Sequence, residues 1–518
     1  MTRIVTSRIL GRPVDGAPGG TLTNVNPGNV NDVVAQVRLG DASTFLEAAR
    51  AAKATQLEWR KVPSPVRGRA IQQIGRIVEA NKEALSQLIT QEIGKPIAES
   101  RGEVQEVIDT ADFFLGEGRR LYGQTVPSEM PDKQLFTFRR PVGTVAVITA
   151  GNFPAAVPAW YIIPALLTGN TVIWKPAEYA AAVAQAFVEI LEAGGLPQGA
   201  INLVLTDGPT TFSGLEQALA EGTVDKVGFT GSSAVGTRIG ELTGRHLQTA
   251  CLELGGKNPM VVMDDAELEL AVEGALFSGF GTSGQRCTSL GTAIVHEEVY
   301  DEFVRRFMVA VQGAVVGDAT STDVLYGPMM NQRFADTFDG WLGLVQDHHT
   351  VGGSSGTGRI TSQNPREGFI GDPDGGIFYH PTVVAGVTLE DELYRNETFG
   401  PLVGIAKFST WEQAMALANN HGFGLSSSIY TTSMQHAFRF REQISAGMVS
   451  INNSTSGAEA HLPFGGNGKS GNGSRQSGIW VIDQFTSWQS MNIDFSGKLQ
   501  KAQMDVMDVE ADLDFRLA

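Results

Sequence analysis

Cys287 stands in the run GTSGQRCTSLGTA, residues 281–293, and is one of only two cysteines in the chain. It is the one set in a Gly/Ser/Thr-rich turn, where a thiol can be reached. The thiolate is the reactive form, and backbone N–H groups or the adjacent Arg286 would lower its pKa. Taken alone, the same residue also reads as a small buried hydrophobe. Asn152, in TAGNFP, follows an apolar run, and its amide can donate to an oxyanion as acyl-transfer chemistry requires. Glu253, in CLELGGK, sits between leucines just ahead of two glycines. An apolar setting raises a carboxyl pKa and suits it to general-base work near neutrality, whereas a solvent-facing strand end would not.

A second group of residues points to a nucleotide. Lys175 and Glu178 close the apolar run TVIWKPAEY, and an acid in such a place can accept both ribose hydroxyls while repelling a 2′-phosphate. The segment FTGSSAVG, residues 229–236, reads as strand, glycine turn and helix N-terminus, the arrangement that receives a pyrophosphate. Its spacing is not that of the usual dinucleotide fingerprint. The piece Gly468-Lys469-Ser470 imitates the end of a phosphate-binding P-loop, but that motif needs glycine where the chain has Pro463, so no ATPase reading follows. The histidines are scattered without ligand spacing and no Cys pair exists, so no metal is assigned.

These residues need elements to carry them. Residues 41–123 are helical in pattern, with amphipathic runs AARAAKATQLEWR, AIQQIGRIVEANKEALSQLITQEIG and Val104 to Leu115. From Val142 short β-branched runs alternate with helices, through VAVITA, TVIWKP, INLVL and KVGFTGS, the order of a parallel sheet with crossover helices. After Gly255 a second alternating unit begins with PMVVMDDA and continues through the Cys287 turn to MVSINN, which predicts a second α/β domain. The loop VGGSSGTG reads as a surface excursion. LFTFRRPV and DQFTSWQSMNIDF look like strands without local partners, which pair with another subunit or with each other.

Composition bounds the reading. A chain of 518 residues exceeds a single core, and its two cysteines exclude a disulfide scaffold and fit a reducing cytoplasm. A net charge of −17 disfavours nucleic acid, which calls for a basic face. The start, MTRIVTSRILGRPVDG, has no signal-like apolar stretch. Pro141 to Trp174 is uncharged, but Gly151, Asn152, Pro154, Pro158 and Pro164 interrupt it, so strand, turn, helix and strand are expected there and no membrane span.

In order along the chain, Asn152, Lys175 with Glu178, FTGS at 229–232, LELGGK at 252–257, GQRCT at 284–288, ETFGP at 397–401 and PFGG at 463–466 resemble the NAD(P)-dependent aldehyde dehydrogenase superfamily. The resemblance implies an α/β aldehyde dehydrogenase fold. It would comprise a Rossmann-like NAD-binding domain from residues 1–123 and 146–255, a catalytic domain from 256–461, and a small β oligomerisation element from 124–145 and 482–505. An acidic tail, 506–518, follows. It also implies NAD as cofactor, held by Lys175, Glu178, Gly231, Ser232, Glu397 and Phe399, in a homodimer or homotetramer. Cys287 would add to an aldehyde carbon, Asn152 would hold the oxyanion, hydride would pass to NAD, and Glu253 would activate the water that releases the acid. The presence of that base implies hydrolysis and not transfer to coenzyme A.

Finer features resemble the antiquitin branch, which oxidises α-aminoadipic semialdehyde, the open form of piperideine-6-carboxylate. They are GEVQEVID at 102–109, Arg286, LSSSIYT at 425–431 and SGAE at 456–459. By that resemblance Glu106 and Arg286 bind the amino-acid end of the substrate. Ser456, Gly457 and Ala458 receive its carboxylate, and Phe153, Trp160 and Phe464 form an aromatic pocket. The chain departs from the branch at Ser289, Leu290 and Gly291, and at AHLP after SGAE, where His461 and Leu462 would narrow the pocket. A broad-range aliphatic or aromatic aldehyde dehydrogenase is the alternative.

Overall fold

The computed structural model describes residues 3–518. Four helices, Ala42–Trp59, Ser64–Ala80, Lys82–Ile93 and Ile97–Glu117, fill the region read as helical. Asp41 starts the first through a reciprocal capping box with Thr44. The long run Ala70 to Gly94 is broken at Asn81, which ends one helix and begins the next, and Gly94 closes it in the left-handed region at φ 73°.

Two seven-stranded sheets dominate the molecule. In the first, Ala250–Glu253, Lys226–Thr230, Thr144–Ile148, Thr171–Lys175 and Ile201–Leu203 run parallel in that spatial order, with a short antiparallel extension from Arg8–Ile9 and Arg12–Pro13. The uncharged stretch before Trp174 is strand Thr144–Ile148, turn, helix Ala156–Leu167 and strand Thr171–Lys175, as expected. Every residue of that helix is buried, which accounts for its being apolar on all sides. No helix among the described residues is long and apolar enough to cross a membrane.

In the second sheet the order is Thr350–Gly352, Thr382–Ala385, Leu402–Phe408, Leu290–His296, Asn258–Val262, Ser426–Tyr430 and Met448–Ile451. All neighbours are parallel except the first pair. The loop read as a surface excursion therefore begins as an edge strand, because Thr350–Gly352 finds Val383–Ala385 as its antiparallel partner. The two strands without local partners find each other: Lys133–Pro141 pairs antiparallel with Thr486–Asp494 over its whole length, and Gln124–Val126 adds a third strand. Residues 482–485, expected to belong with the second of these, form a short helix instead.

The link between the two large sheets sets up the chemistry. Glu253 is the last residue of a strand in the first sheet and Asn258 the first residue of a strand in the second. The carboxyl ends of the first sheet's strands, where open α/β sheets place their ligand loops, therefore face the entry of strands in the second.

Candidate active site

Cys287 precedes the strand Leu290–His296 and follows a tight turn, Gly281–Gly284, in which Thr282 and Ser283 are held in the left-handed region at φ 51° and 57°. Non-glycine residues there cost about 1–2 kcal/mol each, so the turn must be held from outside. Glu99 accepts the Thr282 N–H at 3.0 Å, the Ser283 hydroxyl donates to Gly327 O at 2.8 Å, and Gln285 accepts from Met330 N at 3.0 Å. Gly284 stands where a β-carbon would lie 2.1 Å from Gly400 O, so the turn abuts the loop bearing Glu397 and Phe399.

Two predicted residues, Asn152 and Glu253, converge on this turn with a third, Asn258, that the sequence did not single out. The Asn152 amide donates to Gln285 O at 2.9 Å, two residues before the thiol, which leaves its second N–H for another acceptor. Asn258 donates to the carbonyls of Cys287 and Ser289 at 2.8 and 2.7 Å and fixes the thiol's backbone. Glu253 is buried with Oε1 lacking any hydrogen-bond partner. Gly255 and Gly256 let the segments close on one another: β-carbons there would lie 2.0 Å from Glu397 Oε2 and 2.3 Å from Cys287 O.

The electrostatics follow from this crowding. Burial pushes the Glu253 carboxyl up to about 8, with a further push from Glu397, while the Cys287 S–H opposes it. Burial, together with Glu253 and Glu397, raises the Cys287 thiol well above its ordinary value. The expectation that Arg286 lowers the thiol pKa is overturned. Arg286 is ion-paired with Glu99, bonded to Thr282 Oγ1 at 3.3 Å and stacked 4.6 Å over Phe277, so its charge is spent there. The raised Glu253 carboxyl, and not a resident cation, is thus the proton acceptor within reach of the thiol.

On the nucleotide side, Lys175 Nζ lies 3.1 Å from Glu178 Oε2. Burial pushes the Glu178 carboxyl up, but Lys175 outweighs it and leaves the group below its ordinary value, hence ionised. Gly231 donates to Glu253 O at 3.1 Å, and Ser232 caps the helix Ser233–Arg245, whose first turn carries no acid. Glu397 Oε1 accepts the Gly256 N–H at 3.1 Å, and Phe399, at φ 45°, packs 5.6 Å from Phe334.

The aromatic residues also assemble. Trp160 and Phe464 lie 4.7 Å apart, and Phe153, Cys287 and Ala458 pack against the same cluster. Trp160 Nε1 and Glu106 Oε1 are both buried without a hydrogen-bond partner. Ser456 Oγ is 3.4 Å from the Thr288 hydroxyl, and a β-carbon at Gly457, φ 135°, would meet open space. His461 and Leu462, expected to narrow the pocket, are exposed.

The chain matches the Aldehyde dehydrogenase family over residues 14–491. It is 36% identical over 490 residues to an alpha-ketoglutarate semialdehyde dehydrogenase of Haloferax volcanii, covering 94% of this chain and 98% of that one. The chain belongs to the aldehyde dehydrogenase family. It is 34% identical over 494 residues to the alpha-aminoadipic semialdehyde dehydrogenase of Bos taurus, covering 94% and 88% of the two chains. The solved structure of an NAD-dependent aldehyde dehydrogenase from Sinorhizobium meliloti superposes with a TM-score of 0.89 at 30% identity, covering 97% of each chain. The protein is thus an oxidoreductase of aldehydes with the aldehyde dehydrogenase fold.

Within this aldehyde dehydrogenase, sequence reasoning missed several residues of the site. Glu99 and Asn258 position the Cys287 turn, and Lys95, ion-paired with Glu103, lies 3.5 Å over the Phe153 ring. Tyr179 and Arg333 flank Glu178, with Arg333 NH1 4.0 Å from its carboxylate. The only sequence signal for them is proximity, as Asn258 follows LELGGK and Tyr179 follows Glu178; Arg333 and Glu99 carry none. Among the described residues, one group has metal-ligand proximity, His348, His349 and Asp391. There His349 Nδ1 accepts the Gln346 N–H at 3.0 Å, which puts the proton of the neutral ring on Nε2, facing Asp391 at 3.2 Å. That is a histidine–carboxylate contact, not an open lone pair.

Proposed function

We propose that the enzyme oxidises an aldehyde to a carboxylic acid with NAD, through a thiohemiacetal and a thioester on Cys287. The observation that carries the reading is the convergence of Cys287, Asn152 and the Glu253 carboxyl, whose Oε1 has no hydrogen-bond partner, on one buried turn. Glu253 takes the thiol proton, and the thiolate adds to the aldehyde carbon. The free N–H of Asn152, with the Cys287 backbone N–H, receives the oxyanion. Bound NAD supplies the hydride acceptor. Glu253, once it has released the thiol proton to solvent, removes a proton from water as it attacks the thioester, and the Cys287 thiolate is the leaving group.

The chain's residues fit that cofactor. The ionised Glu178 beside Lys175 suits two ribose hydroxyls and disfavours a 2′-phosphate, which supports NAD over NADP. Gly231 and Ser232, at a helix start free of acids, suit the pyrophosphate. Glu397 and Phe399 would hold the nicotinamide ribose and ring.

The favoured substrate is an amino-acid semialdehyde such as α-aminoadipic semialdehyde. Burial, with a further push from Glu103, raises the Glu106 carboxyl to about 8, and its buried Oε1, without a hydrogen-bond partner, could receive an arriving ammonium. Ser456, Gly457 and Ala458 would take the carboxylate, and Trp160, Phe464 and Phe153 the chain between. Arg286, expected to bind the amino-acid end, is engaged by Glu99 and enters this reading only if substrate displaces that pair. A keto-acid semialdehyde is the second reading, favoured by the Haloferax volcanii relative.

Assembly as a cytoplasmic homodimer or homotetramer is supported by the edge strand Thr486–Asp494, which exposes Trp488, Met491 and Ile493, and by two cysteines that are both free. The test is NADH formation with α-aminoadipic, α-ketoglutaric and succinic semialdehydes, hexanal and benzaldehyde. No NADH from any of them refutes the oxidation of aldehydes with NAD. Equal turnover of hexanal and α-aminoadipic semialdehyde refutes the amino-acid preference and favours the broad-range alternative.

A further inference from the structure

Lys257 is an unusual residue to find where it is. Its side chain is almost wholly buried, and among the described residues its ammonium makes no hydrogen bond and feels one carboxylate, Glu397, only at a distance. A buried, unpaired ammonium is costly, so its retention calls for a compensating charge nearby. Glu397 lines the same narrow cleft, bounded also by Gly256, Gly291 and Phe399.

Glycines make room for both groups. A β-carbon on Gly291 would lie 2.5 Å from Lys257 Cδ, and one on Gly255 would lie 2.0 Å from Glu397 Oε2. The Glu397 carboxylate is tied at Oε1 to the Gly256 N–H, one residue from Lys257, which leaves Oε2 for a ligand. Each group also acts on the other's titration. Burial lowers Lys257 to about 8 against the pull of Glu397, and burial raises Glu397 to about 7 against Gly256 N–H and Lys257. The neighbouring His421 cannot take the place of Lys257, since burial and the Lys257 charge hold it neutral with a pKa near 4.

We propose that Lys257 is a positioning residue that acts through Glu397, keeping that carboxylate charged and aimed to accept hydroxyl hydrogen bonds from the nicotinamide ribose. This rests on the reading of Glu397 as the ribose acceptor. Without Lys257, a buried carboxyl that also faces the Glu253 charge would hold its proton and lose acceptor strength.

The test is equilibrium binding of NADH, followed by its fluorescence, to the full chain and to Lys257→Met, Glu397→Gln and the double variant. Methionine keeps the length of the lysine stem, and Lys257→Gln is the second variant should the first not fold. Kd is expected to rise about tenfold in each single variant and to rise no further in the double variant, the signature of two residues acting as one. KM for NAD should rise alongside, with kcat changed less. Equal, multiplying increases in Kd for the two substitutions, or an unchanged Kd in Lys257→Met, would overturn the role of Lys257 alone. An unchanged Kd in Glu397→Gln would overturn the ribose reading itself, and the inference with it.

Discussion

Replacing Glu253 by glutamine removes a carboxyl that burial and Glu397 have moved from 4.5 to about 8. At pH 7 about one such carboxyl in ten is ionised and at pH 8 about half, so a step that needs it as base should quicken about fivefold from pH 7 to pH 8 and level off above pH 9. Glu253→Gln should lose this slope and lower steady-state turnover by about 10²–10⁴-fold, the usual worth of a general base. A slower first-turnover burst of NADH should persist, with acyl-enzyme accumulating on Cys287 and visible by mass spectrometry of quenched enzyme. Stability should move the other way. Between pH 4.5 and about 8 the unfolded chain holds fewer protons at this site than the folded one, so the wild type loses stability as pH rises through that window. The full loss is on the order of 5 kcal/mol, and glutamine is spared it. Thermal melts at pH 5 and pH 8.5 should show the variant gaining on the wild type at the higher pH only. Full steady-state turnover in Glu253→Gln, or a pH–rate slope equal to that of the wild type, would refute the assignment of Glu253 as the base.

Three further outcomes are expected. Asn152→Ala removes the side-chain N–H beside the thiol and should lower kcat about 10²–10³-fold in the NADH assay, with little change in NADH binding. Gly256→Ala forces a β-carbon to within 2.3 Å of the Cys287 carbonyl, a backbone atom that Asn258 already holds; it should lower the melting temperature, at a cost of about 1–3 kcal/mol, and abolish turnover. Glu178→Ala removes the charge that would meet a 2′-phosphate and should shift the ratio of kcat/KM for NADP over NAD upward, while Lys175, freed of its partner, favours the phosphate.

Much of this molecule is written locally. The alternation of β-branched runs and helices after Val142 corresponds to the parallel strands observed, because strand and helix differ in hydrophobic period and each segment carries its own. Cys287, Glu253 and Asn152 stood out because each is a chemically distinctive residue within three positions of a glycine, near the start or the end of a strand. The edge strand Thr350–Gly352 was not legible, since a Gly/Ser-rich run becomes a strand only when a partner such as Val383 is beside it. The same limit applied to Arg286. Its neighbour in sequence is the thiol, but its charge is answered by Glu99, 187 positions away.

The sequence by itself determined the fold class and singled out Cys287, Glu253 and Asn152 as candidates for the chemistry, since these depend on residue type and on spacing within short segments. The tertiary structure alone decided how those residues are charged. Burial raises Glu253, Glu397 and the Cys287 thiol, leaves Lys257 without a hydrogen-bond partner and pairs Arg286 with Glu99. Charge in a protein depends on which groups are excluded from water together, and that is settled only when distant segments pack.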